Sequence, residues 1–323
     1  MSTLDLKGDR AHWANYEGST CFRQEPVAEA KDTLRVERDE LCGHLGEVAM
    51  REGHAQKMDN RPVRSSAFYI PTGPGQFESS PATAGPWSAD SQHGGPPSAL
   101  LAREFERTAA DSGQRLARMA VEILRPLPVR PLAVRARVAR PGRRVTLLEG
   151  AIEVDGQEFI LARGWRIARS DTAAAATPTT VPPPVPSEPD RERADWPGAH
   201  LDGYMSALEV RTTAGRFGEA GPAAVWTRTS VALVQGEELS PFERAAIVAD
   251  SGSGVSQGVD LRCWLAVNVE MTLSTHRDPA GEWIHMDAAT VIGQDGTGRA
   301  DTALSDTAGE FGRAIQTLVI APR

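Results

Sequence analysis

The chain predicts an α+β protein in which a curved antiparallel sheet wraps a long helix, and it predicts that unit twice. Three observations carry this. A helix-like segment followed by four strand-like segments occurs within residues 65–170 and again within 191–323. The turns that join the strands match between the two halves. Between them, residues 171–190 read DTAAAATPTTVPPPVPSEPD, a composition that favours an extended linker.

In the first half, Phe68, Tyr69 and Phe77 open a strand region. Pro96 and Pro97 then suit the first turn of a helix, where a missing N–H costs little. That helix runs to about Ala110 with Leu100, Leu101 and Phe105 toward the core. Strand patterns follow at 117–126, 130–140, 144–154 and 158–168, with turns at Pro141-Gly142 and Asp155-Gly156. In the second half, strand-like segments 204–213 and 223–234 precede a helix at 241–251, with Ser240 as N-cap and Pro241 at its first position. Strands follow near 264–276, 282–292, 298–306 and 311–321. Ile123-Leu124-Arg125-Pro126 pairs by position with Thr275-His276-Arg277-Asp278, and Asp155-Gly156-Gln157-Glu158-Phe159 with Ala308-Gly309-Glu310-Phe311. A half-buried sheet needs cover on one face and a long apolar helix needs it on most sides, so the two should pack together.

Composition narrows the function. The chain has 323 residues and a net charge of −8, which disfavours a nucleic-acid surface. Mean hydropathy is −0.34 and no apolar run is long enough to span a bilayer. The N-terminus lacks the basic start and apolar stretch of a signal peptide. Cys21, Cys42 and Cys263 make no disulfide framework. The expectation is a cytoplasmic protein without a membrane partner. The only lysines are Lys7, Lys31 and Lys57, and residues 1–64 are charged and weakly periodic. They read as a polar extension outside the fold, or as the product of a start codon placed too far upstream.

Two clusters carry chemistry. Glu270, Thr290 and Gln316 fall on three predicted strands near the C-terminus, and a carboxylate, a hydroxyl and an amide together can hold and activate a water. Gln92-His93-Gly94-Gly95-Pro96-Pro97 opens the first helix, where free N–H groups can polarise a carbonyl. Taken alone, each residue has a plain structural reading. By alternation Glu270 shares a strand side with Asn268, Thr272 and Ser274, a solvated polar face. Gln316 lies among Ala314, Leu318 and Ile320, where an amide must be satisfied. Asp250 and Ser251 lie at the end of the second helix, as caps or as pocket lining. Trp87 reads as a core anchor. Arg140, Arg143 and Arg144 form a basic turn. Cys42 with His44, and His285 with Asp287, fall short of a closed metal site, so no metal or cofactor is expected.

Six runs then point to a family: Gly85-Pro86-Trp87, Gln92 to Leu101 (QHGGPPSALL), Ala249-Asp250-Ser251, Glu270 to Arg277 (EMTLSTHR), Gly281-Glu282-Trp283-Ile284, and Gly312 to Leu318 (GRAIQTL). In this order the chain resembles the thioesterase-like acyl-CoA thioesterases of the double-hotdog superfamily, related to acyl-CoA thioesterase II. The resemblance implies a double hotdog and hydrolysis of an acyl-CoA or acyl-carrier thioester to acid and thiol. It also implies no cofactor and a homodimer. The family's catalytic Asp, six residues before the His-Arg pair, corresponds to Glu270; its hydroxyl residue corresponds to Thr290 and its glutamine to Gln316. Glu for Asp is a departure that lengthens the side chain by one methylene, although another thioesterase branch of the superfamily uses Glu. His93, Gly94, Gly95 and Asp250 would bind substrate. Arg118 and Gly164 stand where the first half would repeat Glu270 and Gln316, so one site per chain is implied. Two rival readings are a hotdog enoyl-CoA hydratase or dehydratase, whose Asp and His five residues apart are missing, and a non-catalytic acyl-thioester binding protein.

Overall fold

The computed structural model describes residues 65–323 apart from 109, 111–112, 189, 191–198 and 217–218. The extension expected over 1–64, with Cys42 and His44, lies outside the described residues. The first half begins with β1 (Ala67–Gly73) and β2 (Gln76–Ser79), then the short pair β3 (Ala84–Gly85) and β4 (Ser88–Gln92). Helix α1 (Gly95–Thr108) follows, then β5 (Gln114–Ile123), β6 (Leu132–Arg140), β7 (Val145–Val154) and β8 (Gln157–Ala168). The second half has β9 (Leu208–Ala214), β10 (Ala223–Thr229) and β11 (Ala232–Val234). After these come helix α2 (Pro241–Ala249) and the single turn α3 (Gly252–Val255). β12 (Trp264–Thr275), β13 (Ile284–Ile292), β14 (Thr297–Asp306) and β15 (Gly309–Pro322) complete it.

The helix, strand and turn order is as the sequence implies, but the expected two sheets are one. Thirteen strands run in the order β11-β1-β2-β6-β7-β8-β5-β12-β15-β14-β13-β10-β9. Read outward from the β5–β12 seam, the halves mirror each other: 5-8-7-6-2-1 on one side and 12-15-14-13-10-9 on the other. The seam is an antiparallel pairing from Glu122 opposite Glu270 to Arg118 opposite Ser274. One pairing breaks the all-antiparallel expectation. β11, from the second half, runs parallel to β1 of the first.

α1 buries Leu100, Leu101 and Phe105 against the sheet. Its last carbonyls are capped by the Arg166 guanidinium, which donates to Glu106 O at 2.7 Å and Phe105 O at 3.2 Å. α2 starts in a full capping box: Ser240 Oγ accepts from Glu243 N, the Glu243 carboxylate accepts from Ser240 N, and Pro241 follows the cap. It spans only nine residues, so the expectation of a long helix in each half holds for the first half alone. One apolar core runs through both halves, from Phe68 and Leu100 to Phe242, Met271 and Phe311.

Residues 171–190 are held against the second half. Trp226 Nε1 donates to Pro183 O at 2.9 Å, Glu310 N to Thr180 O at 3.0 Å, and Thr212 Oγ1 to Asp190 at 2.6 Å. Cys263 is disulfide-bonded, while the chain's other two cysteines lie outside the described residues. No helix among the described residues is long and apolar enough to cross a membrane.

The halves meet where α1 starts beside the end of α2. A Cβ on Gly95 would lie 2.1 Å from Ile247 O, a backbone atom that cannot move without bending α2. Gly95→Ala should therefore destabilise the protein by about 3 kcal/mol, read as a lowered denaturant midpoint. An unchanged midpoint would show that the helices are free to separate.

Candidate active site

Asp250 stands at the C-cap of α2, with its side chain 5% exposed. Three segments converge on it. Asn268 Nδ2, from β12, donates to Oδ1 at 2.7 Å. Gln316 Nε2, from β15, donates to the Asp250 backbone carbonyl at 2.9 Å and to Oδ1 at 3.3 Å. The Gly94 N–H bonds the carboxylate from the turn before α1, and a Cβ at Gly94 would lie 2.7 Å from Oδ2. His93 Nδ1 lies 3.3 Å from Oδ2. This imidazole stacks on Tyr204, with ring centroids 3.7 Å apart and planes 8° from parallel. The Tyr204 hydroxyl lies 2.8 Å from both Ile247 O and Ser251 Oγ, which fixes the stack to the end of α2.

Burial dominates the electrostatics. It pushes the Asp250 carboxyl up to about 7, against the lowering effect of its bonds from Asn268, Gln316 and Gly94. The same burial pushes the His93 imidazole down to about 3. The 3.3 Å contact is therefore not an ion pair near neutral pH. His93 Nδ1 accepts from Gly95 N at 3.1 Å, so this neutral ring brings no positive charge to match an ionised Asp250. A carboxylate that titrates near neutrality inside a cluster of donors is suited to taking and returning a proton.

A shallow cleft opens next to this cluster. Ser253 and Thr290 belong to its wall, and Ser253 N donates to Gln316 Oε1 at 2.9 Å, so Gln316 links the cleft to Asp250. Ser256 Oγ donates to Gly252 O at 3.0 Å and lies 2.8 Å from Thr290 Oγ1. Ser256 has one proton and gives it to Gly252. The Thr290 hydroxyl must then donate to Ser256, leaving only acceptor lone pairs for the cleft. The rest of the lining is largely apolar, with Leu261, Leu318 and Ile320 among it. Trp87, expected in the core, is 46% exposed and forms part of the wall.

Of the residues singled out in the sequence, the structure brings His93, Gly94, Gly95, Asp250 and Gln316 together, while Thr290 lines the neighbouring cleft. It does not bring Glu270. The β12–β15 register slips between Asn268 and Glu270, and the extra residue reverses the sides. Asn268 faces inward to Asp250, whereas Glu270 faces outward and accepts from Thr317 N at 3.0 Å and Thr317 Oγ1 at 2.8 Å. Gln316, the neighbour of Thr317, points to the opposite face and is 1% exposed. The shared side assigned to Asn268 and Glu270 is thus corrected by a bulge. The α1 start departs from expectation too: Gly94 N–H meets Asp250, Gly95 N–H meets His93, and the prolines have none. Asn268 was expected only as a strand neighbour of Glu270, and Tyr204, Ser253, Ser256 and Gln257 were not expected at the site. Only Asn268 had a signal in the sequence, as an amide two residues from a suspected carboxylate. His285, which shares a strand side with Asp287, has its Nε2 2.9 Å from Thr213 Oγ1. Among the described residues no group of three or more His, Cys, Asp or Glu forms a metal-binding cluster.

Asp250 should make stability fall with pH in a defined window. Its native carboxyl holds a proton up to about pH 7, while in the unfolded chain it ionises near 4. The native state therefore binds more protons between those values. Stability from this group is complete below pH ~4 and is lost as pH rises to about 7, by at most ~1.4 kcal/mol per pH unit. Asp250→Asn should remove that slope from the difference between variant and wild-type unfolding curves. A difference that stays flat from pH 4 to 7 would show an ordinary carboxyl.

Family comparison agrees with this architecture. Residues 83–167 match the acyl-CoA thioesterase N-terminal domain and residues 178–320 the acyl-CoA thioesterase C-terminal domain. Among curated proteins no match is found. Among solved structures, a protein from Novosphingobium aromaticivorans assigned as a thioesterase superposes with a TM-score of 0.62 at 18% identity. That match covers 78% of this chain and 98% of that one. The tesB protein of Mycobacterium avium subs paratuberculosis gives 0.58 at 16%, covering 80% and 98%. A hot dog fold protein of unknown function from Alicyclobacillus acidocaldarius gives 0.61 at 16%, covering 76% and 93%. At these identities the likeness is one of fold: a mostly-sheet α+β hotdog arrangement. The two domain matches in chain order span most of the sequence, and the chain belongs to the acyl-CoA thioesterase family of thioester hydrolases.

Proposed function

We propose that this protein is a double-hotdog enzyme that hydrolyses an acyl-CoA in the cleft beside Asp250, with Asp250 as general base. The observation that carries the reading is the buried carboxyl of Asp250, poised near pH 7 and bonded from Asn268, Gln316 and Gly94. The mirrored strand order supports the view that each half is one hotdog unit.

In this reading, water is held between Asp250 and the acceptor lone pairs of Thr290. Asp250 removes a proton as the oxygen attacks the thioester carbonyl carbon. The tetrahedral species then collapses, the C–S bond breaks, and Asp250 returns the proton to the departing sulfur. Gln316 uses both ends of its amide to fix Asp250 and the Ser253 turn, so it acts by positioning. Glu270 remains the residue that corresponds to the family's carboxylate. Its outward bonds to Thr317 support a role in holding the bulged strand pair, not in activating water.

The test is release of free thiol from a panel of acyl-CoAs by the purified protein. Asp250→Asn should lower turnover by ~100-fold or more with substrate affinity little changed. Gln316→Ala should lower it less. Glu270→Gln should stay within about threefold of wild type. The reverse order, with Glu270→Gln inactive and Asp250→Asn active, would return the role of base to Glu270. Thioester protected from hydrolysis by the wild-type protein would favour a binding protein instead. The reading includes a homodimer, supported by Val269, Ile315 and Val319 on the outer sheet face, each more than a third exposed. Light scattering should give about twice 34.7 kDa, and a mass of one chain would reject the dimer.

A further inference from the structure

Attack on a thioester needs a donor at the carbonyl oxygen as well as a base for the water, because negative charge develops on that oxygen. The start of α1 cannot supply the donor. Its Gly94 N–H is bonded to Asp250 and its Gly95 N–H to His93 Nδ1. Pro96 and Pro97 have no N–H, and Ser98 N donates to Gly94 O at 3.1 Å. The Ser253 amide is taken by Gln316. Beside Thr290 the situation differs. Gln257 stands between Ser256, whose Oγ lies 2.8 Å from Thr290 Oγ1, and Gly258, where a Cβ would lie 3.0 Å from Thr290 Cγ2. Gln257 lines the cleft and is 7% exposed. Its Nε2 is buried with no hydrogen-bond partner among the described residues. A buried amide with two unused N–H donors carries a penalty that a ligand oxygen removes.

We propose that Gln257 is a catalytic residue whose side-chain amide donates to the thioester carbonyl oxygen, in the place a helix-start N–H would otherwise take. The proposal rests on the hydrolytic reading of this cleft. As the water oxygen bonds to the carbonyl carbon, the π electrons move to the oxygen that Gln257 holds. When they return, the C–S bond breaks, and the sulfur leaves with the proton that Asp250 took from water. A donor from Gln257 and an acceptor from Thr290 then lie on one wall, so a carbonyl and a water can be held side by side.

The experiment compares wild type with Gln257→Leu, which keeps approximate volume without a donor, and with Gln257→Glu, which keeps the shape and offers acceptors. Circular dichroism establishes folding, and the second variant serves if the first does not fold. Two inert coenzyme A derivatives are titrated into each: a hexyl thioether, which has no carbonyl, and the matching ketone, in which CH2 replaces sulfur and the carbonyl is kept. Removing the donor should weaken the ketone by ~10-fold and leave the thioether unchanged. On acyl-CoA substrates, kcat should fall by ~100-fold while KM stays within about threefold. Equal loss for both derivatives, or an unchanged kcat, would overturn the proposal. The titrations need no turnover. They decide the part played by Gln257 even if the wild-type protein released no thiol, an outcome that would reject the hydrolytic reading alone.

Discussion

The contact between the start of α1 and the end of α2 governs the rest of the molecule. Gly95 lets the two helices approach until only backbone separates them, and Gly94 leaves the space that the Asp250 carboxylate occupies. With larger residues there, the helices would part, water would reach the carboxylate, and its proton would be lost at ordinary acidic pH. Desolvation is what holds that proton to near neutrality. The cost of burying the acid is offset by Asn268, Gln316 and Gly94, each contributed by a different stretch of chain.

The duplicated plan is used unequally. Strand order mirrors across the β5–β12 seam, yet α1 has fourteen residues and α2 nine. Where α2 stops, the chain turns at Asp250 and Ser251 into the single turn Gly252–Val255. That irregular stretch carries Ser253, Ser256 and Gln257, polar groups that a continued helix would have spread around its circumference. The first half keeps its helix intact and fills the corresponding space with Phe105, which is fully buried. One half thus provides scaffold and the glycine turn, and the other provides the polar groups and the cleft.

The two sheet faces have separate tasks. The inner face of β12 and β15 carries Asn268 and Gln316 toward Asp250. The outer face carries Glu270 and Thr317, which bond to each other across the slipped register. Farther out, residues 171–190 lie against the second half through Trp226, Thr212 and Glu310, so the proline-rich stretch adds bonds to that half as well as joining it to the first.

Much of this was legible in the sequence because local rules decide it. Alternating apolar residues fixed the strands, Pro96-Pro97 and Ser240-Pro241 fixed two helix starts, and repetition of that order fixed the two-part plan. Gly94, Gly95, Asp250 and Gln316 could be named as residue types suited to a site. What tertiary structure alone decided is which side Glu270 faces and which carboxylate is buried. A single bulge between Asn268 and Glu270 reverses every side chain beyond it, and a strict alternation of period two cannot register one extra residue. The basicity of Asp250 likewise has no local signature. It depends on atoms from residues 93–94, 268 and 316, brought together only when the two halves share one sheet, and desolvation is a property of that assembly, not of any sequence neighbourhood.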